Sequence, residues 1–183
     1  MDKKETKMNA FRSIEFLDEG IVRMLDQRKL PHETIYNDYL SYEEVAQAIQ
    51  DMVIRGAPAI GAAAAYGMAL TAQRSQASDV DTLCLELATA SEALARSRPT
   101  AVNLFWALDR MNKCIADPKL DTVKALQKAT LAEAHAIAKE DVEINKAIGM
   151  NALSLIPEKA TIIHHCNTGS LATVDYGTAL GVI

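Results

Sequence analysis

Cysteine is scarce in this chain: Cys84, Cys114 and Cys166 are the only three among 183 residues. An odd, widely spaced set does not make a disulfide framework, so the composition points to a reducing, cytoplasmic setting and not a secreted one. Basic residues are in deficit as well, 19 Lys and Arg against 24 Asp and Glu, for a net charge of −5. No basic run offsets that balance, which argues against nucleic acid or an anionic membrane as a partner. Any anionic ligand must be small and captured locally. Apolar runs of the kind a signal peptide or a membrane span needs are missing too. Met1 to Met8 is polar, and the longest uncharged stretch, Gly56 to Gln73, is rich in Ala and Gly and carries Pro58, so it reads as a packed helix. Neither secretion nor a membrane span is expected.

With 49% hydrophobic and 23% charged residues, the chain can build a core, and its length fits one ordinary domain or two small ones. Ile14 to Phe16 and Ile21 to Leu25 flank Asp18-Glu19-Gly20, which predicts a hairpin with Gly20 at positive φ. His32 to Leu40 offers a third strand. Ser41-Tyr42-Glu43-Glu44 matches a capping box, and Val45, Ala48, Ile49 and Met52 predict one buried helical stripe reaching about Ile54. Gly56 stops that helix, and Pro58 fits the first turn of the next, which runs to about Ala72. Asp79 can cap a helix burying Leu83, Leu87, Ala90 and Leu94, and Thr100 one burying Leu104, Leu108, Met111 and Ile115. Asp121 opens a long helical stretch to about Ile156, divisible into two at Gly149. Phe105, Trp106 and the methionines read as core.

After Pro157 the pattern changes. Thr161-Ile162-Ile163 is a β-branched run followed by turn residues and a second Ala/Gly-rich stretch, predicting strand, turn, helix. The expected fold is therefore α/β: a small, mostly helical N-terminal domain with a short β-meander over residues 1–156, then the first strand-helix unit of a truncated parallel α/β domain over 157–183. A lone strand leaves its backbone groups unpaired on both sides, so a partner strand must come from further polypeptide.

Two sets of residues carry candidate chemistry. Arg55-Gly56-Ala57, ahead of a helix N-terminus, suits a phosphate, since Gly admits a ligand to the backbone, the helix presents free N–H groups and Arg forms bidentate bonds. It is not a P-loop, because Ala62 and Ala63 stand where Lys and Ser/Thr belong. Spacing alone favours a plain helix-helix corner, since Gly and Pro punctuate helices everywhere. Cys166 sits at the carboxyl end of the predicted strand and just before a helix, where open α/β sheets place ligands and a helix N-terminus activates a thiol. An inert thiol is the alternative, and Cys84 and Cys114, on helix patterns, read as structural. Asn167, Thr168 and Gly169 are turn residues or donors near a ligand. Arg98 is either a solvated charge or a second anion clamp. His164 and Cys166 would share one strand face with His165 on the other, too few ligands for a metal ion, and His32 and His135 stand alone.

Four blocks in order carry a family resemblance: Leu25-Asp26-Gln27-Arg28-Lys29-Leu30-Pro31, Asp51 to Gly67, Arg98 to Leu104, and His165-Cys166-Asn167-Thr168-Gly169-Ser170-Leu171 with Tyr176 to Gly181. Together they resemble S-methyl-5-thioribose-1-phosphate isomerases of methionine salvage, over the first half of a typical member. The resemblance implies an aldose-ketose isomerase converting 5-methylthioribose 1-phosphate to 5-methylthioribulose 1-phosphate with no metal or organic cofactor. It implies a Rossmann-like second domain, a sugar phosphate as ligand, and a homodimer or a complementing C-terminal chain as partner. On its pattern Arg55, Gly56, Ala57 and Arg98 contact substrate and Cys166 is the reactive-site cysteine. The pattern's shuttling Asp falls later than these blocks, and Asp175 does not substitute for it. Two related readings are a non-catalytic regulatory subunit like those of translation initiation factor 2B, and a ribose 1,5-bisphosphate isomerase.

Overall fold

The structure, a computed structural model, describes residues 12–183; the polar start at Met1 to Met8 lies outside the described residues. β1 (Ile14–Leu17) and β2 (Ile21–Leu25) form the expected hairpin, and Gly20 at φ 69° closes its turn. β3 (Tyr36–Tyr39) adds on the far side of β2, giving a three-stranded antiparallel sheet in the order β1-β2-β3, with Val22 opposite Tyr39. Alternation along β2 buries Val22 and Met24 and leaves Arg23 on the other face, where its guanidinium meets Asp38 at 2.6 Å.

α1 (Tyr42–Gln50) begins at a variant of the capping box: Ser41 accepts from the Glu44 N–H, and Glu44 reaches back one residue beyond the cap, to the Leu40 N–H at 2.6 Å. It ends sooner than its apolar stripe predicts. The Val53 N–H turns back to the Ala48 carbonyl and the Met52 N–H to that of Ile49, a Schellman closure with Met52 at φ 61°. Met52 is consequently 41% exposed and not core, while Val53 and Ile54 are buried instead.

α2 (Ala57–Arg74) is the hub: from Ala59 to Leu70 every residue is buried, and α1, α3, α4 and α5 pack around it. Small side chains make that approach possible. A Cβ on Gly67 would stand 3.1 Å from both methyls of Leu94. α3 (Val80–Ser97) is capped by Asp79 and buries Leu83, Leu87, Ala90 and Leu94, as its spacing predicts. α4 (Val102–Ile115) starts from Ala101, not from a Thr100 cap, and buries Leu104, Leu108 and Met111. Phe105 and Trp106 are not core: they are 43% and 50% exposed. The α4 face that meets α2 is already filled by Leu104, Ala107, Leu108 and Met111, which turns the two aromatics outward. α5 (Val123–Ala152) is one helix and not two, capped by Thr122 and not Asp121. Gly149 does not break it, and its missing Cβ admits the Gly181 carbonyl, 2.6 Å from where that atom would be. None of these helices is long and apolar enough to cross a membrane.

The strand expected at Thr161 to Ile163 is absent, and so is the helix after Gly169. Residues 161–165 lie exposed without ladder partners, Ile163 at 94%, and the chain then makes only single 3-10 turns at Ser170–Ala172 and Leu180–Val182. Without a neighbouring strand each backbone group does better in water than in an unpaired extended run. The fold is mostly helical with one small antiparallel sheet.

Candidate active site

The last stretch of chain is held by polar groups from residues flanking the sheet strands and from α5. Ser13 Oγ donates to the Ser170 carbonyl at 2.5 Å, Gln27 Nε2 to that of Leu171 at 2.7 Å, and the Ser13 N–H to that of Val174 at 2.9 Å. The Val174 N–H in turn donates to Asp141 Oδ2 at 2.8 Å. Burial raises the Asp141 carboxyl above its ordinary range, against the pull of that N–H and of Asn145. Gly56, at φ 83°, meets this stretch from the other side: the Ala172 Cα and carbonyl oxygen lie 2.4 Å from the place a Cβ would take. The N-terminus of α2 and the 170–172 turn are thus in backbone contact.

Beside that contact is a cavity of about 310 Å³ lined by Gln27, Leu30, Pro31, Arg55, Asn167, Thr168 and Leu171. Arg55 Nε is buried and has no hydrogen-bond partner among the described residues. An orphaned cationic donor costs more than a neutral one, so an incoming anion or oxygen ligand has a donor waiting. No carboxylate lines the cavity. The wall formed by Gln27 to Pro31 is rigid for an electrostatic reason. Asp26 is buried and takes both Nε and Nη2 of Arg28, at 2.8 and 2.7 Å, and this guanidinium holds its carboxyl below the usual range.

The structure therefore brings Arg55, Asn167 and Thr168 to one cavity, whereas Gly56 and Ala57, which follow Arg55 at the start of α2, are not part of its lining. Gly169 is buried at φ 78° and starts the 170–172 turn, its carbonyl accepting from the Ala172 N–H. Thr168 Oγ1 is already engaged, 2.9 Å from Thr178 Oγ1 and accepting from the Leu180 N–H. Cys166 neighbours Asn167 and is exposed, with φ 81°, but it is not part of the cavity lining. No full helix follows it, so no helix dipole acts on its thiol, and the strand face shared with His164 does not exist. Arg98 ends α3, away from this lining, half-buried. Cys84 and Cys114 are half-buried within helices, and burial pushes both thiols up. Among the described residues no three His, Cys, Asp or Glu side chains are gathered as a metal ion requires. Gln27, Leu30, Pro31 and Leu171 are cavity residues that sequence reasoning did not single out. Their one signal was membership of blocks that carried the resemblance.

Residues 53–183 match the model of the initiation factor 2 subunit family. The chain belongs to that family. Its relatives include the methylthioribose-1-phosphate isomerase of Synechococcus sp., 54% identical over 96% of this chain and 50% of the relative. Another is methylthioribose-1-phosphate isomerase 2 of Pseudothermotoga lettingae, 56% identical with the same two coverages. The chain spans about half the length of the curated relatives it matches. Two solved structures superpose well. The 5-methylthioribose 1-phosphate isomerase of Pyrococcus horikoshii OT3 gives a TM-score of 0.88 at 43% identity, covering 93% of this chain and 48% of that one. The translation initiation factor eIF-2B subunit delta of A. fulgidus gives 0.84 at 41% identity, covering 94% and 50%. Backbone shape is common to both names, so within the initiation factor 2 subunit family the reading of function rests on the site.

Proposed function

We propose that this chain carries the phosphate-binding part of a cytoplasmic aldose-ketose isomerase acting on 5-methylthioribose 1-phosphate. The supporting observation is the cavity that unites Arg55, with its unpartnered buried Nε, with Asn167 and Thr168. In this reading Arg55 and the first turn of α2 take the phosphate on C1, with Gly56 and Ala57 letting it approach the backbone and Arg98 as a second binding residue. A phosphate on C1 blocks easy ring opening, so the ring oxygen must be protonated and a proton moved from C2 to C1 in a place shielded from water. Cys166, next to Asn167 but exposed and outside the cavity lining in this chain, is the group that stabilises charge or donates a proton in this reading. A carboxylate must shuttle the other proton, and since none lines the cavity, it comes from a complementing C-terminal polypeptide. That polypeptide would also bring the strands against which residues 157–183 take up a Rossmann-like form, with the complete enzyme a homodimer.

Isothermal titration of the 183-residue chain with 5-methylthioribose 1-phosphate against ribose 1,5-bisphosphate tests the reading. Preference for the first is expected, and preference for the bisphosphate would shift the substrate. In a complete enzyme, Cys166→Ala should abolish turnover with binding mostly intact, because the thiol acts in the transition state. Wild-type rates from that variant would end the mechanism. The likeness to the subunit delta structure favours a second reading, a regulatory subunit. Its mark would be binding of neither sugar phosphate together with retained binding to a protein partner.

A further inference from the structure

Three side chains hold residues 170–174 in place: Ser13, Gln27 and Asp141. Only one of the three also lines the Arg55 cavity, and that is Gln27. Asp141 instead faces a separate groove of about 490 Å³ between α4 and α5. Gln27 is nearly buried, at 9% exposure, and its own backbone is fixed by its N–H donating to the Val53 carbonyl at 3.0 Å. Val53 stands two residues before Arg55, so the same residue is tied to both sides of the cavity. Its backbone is bonded to the segment that leads into Arg55. Its amide is bonded to the Leu171 carbonyl, three residues beyond Thr168. Burying a long polar side chain costs conformational entropy and desolvation, which a packing role alone does not require, because an apolar side chain of the same length would fill that space.

We propose that Gln27 is a positioning residue of the candidate site: its amide sets the distance between Arg55 and the Asn167-Thr168 pair by latching the Leu171 carbonyl. This inference rests on the isomerase reading for the identity of the ligand but not for the latch itself. Only Gly169 separates Asn167 and Thr168 from the 3-10 turn, so releasing Leu171 loosens the wall that these two residues form opposite Arg55. A ligand held between the two walls then loses the geometry that pre-orders its contacts.

The test uses the 183-residue chain with Gln27→Met, which keeps the length and loses the donor, and Gln27→Glu, which is isosteric. Gln27→Met should speed amide hydrogen exchange at residues 168–173 about tenfold, the factor that corresponds to one net hydrogen bond, and weaken 5-methylthioribose 1-phosphate binding by a similar factor. Exchange within α3, remote from the latch, should stay unchanged. Gln27→Glu adds a signature that lost packing would not give. Ionised at about pH 8, the carboxylate repels the Leu171 carbonyl; protonated toward about pH 5, it can donate to it, so the loosening relative to wild type should recede. Unchanged exchange at 168–173 in Gln27→Met overturns the latch. Faster exchange with unchanged affinity overturns its role in the site. Faster exchange in a chain whose wild type binds no sugar phosphate supports the latch and counts against the isomerase reading.

Discussion

Arg55 and Gly56 concentrate the chemistry of the candidate site in two adjacent positions with different tasks. Arg55 carries a buried Nε for which the described protein supplies no acceptor, a cost that a ligand oxygen repays. Arg55→Ala should therefore weaken binding of 5-methylthioribose 1-phosphate by about 1.5–3 kcal/mol, the range for a charge-assisted hydrogen bond. Calorimetric titration reads this directly, and an unchanged dissociation constant would remove Arg55 from the site. Gly56 acts through what it lacks. Its φ of 83° and the Ala172 backbone 2.4 Å from its missing Cβ leave no room for a side chain. Gly56→Ala should cost about 2–4 kcal/mol in urea unfolding, because the atom it meets is backbone and cannot rotate away. A variant as stable as wild type would show that the close approach between α2 and the 170–172 turn is not held.

Among the helices, α2 has the least ordinary composition: it is apolar on every side, as a helix enclosed by four others must be. Its stability comes from neighbours fitting its small residues, with Leu94 of α3 lying over Gly67 as the sharpest case. Leu94 is fully buried, and Leu94→Ala should cost about 2–5 kcal/mol, since Gly67 offers no side chain to refill the cavity. Chemical denaturation tests it, and a loss below that range would mean that α3 collapses onto α2. The end of α1 shows the opposite case, in which backbone geometry overrules side-chain pattern. The Schellman closure forces Met52 outward although its spacing places it on the buried stripe. At the far end of the chain, a β-branched run makes no strand, because strand formation is a property of two segments and only one is at hand.

Across the whole molecule the sheet, α2 and α5 meet at an aromatic cluster of Phe16, Tyr66 and His135, and here stability couples to pH. Burial pushes the Tyr66 hydroxyl up to about 12, so it stays protonated, and it shares a 3.3 Å hydrogen bond with His135 Nδ1. Partial desolvation against Tyr66 and Phe16, helped by Arg12, lowers the His135 pKa from its ordinary 6.5, although part of the residue stays exposed. A depressed folded value means that the neutral ring favours the fold above 6.5 and that this contribution is lost as pH falls from there through the lowered value. Asp26 and Glu140, both lowered by arginine partners, lose theirs only in the more acidic carboxylate range. Asp141 runs the other way: its raised carboxyl favours the fold at low pH and ceases to do so as pH rises through the raised value. The urea midpoint should therefore fall between about pH 7 and pH 5, and His135→Phe should flatten that slope. An equal slope in the variant would assign the acid sensitivity elsewhere.

Helices α3 and α4, the hairpin and the α1 cap were readable in advance because each follows from local rules, 3.6-residue periodicity and a single capping or turn residue. Arg55 was readable as a candidate for the same kind of reason, a residue type suited to an anion beside a helix start, and Asn167 and Thr168 as turn residues able to donate to a ligand. Gln27 and Leu171 were not, since a buried amide and the carbonyl it holds have no periodicity, and their 144-residue separation along the chain closes only after α2 and the sheet have packed. The outward turn of Trp106 was set in the same way, by which neighbours arrived. Local free energies depend on nearby residues and can be read from them; a cavity wall depends on which distant surfaces exclude water from one another.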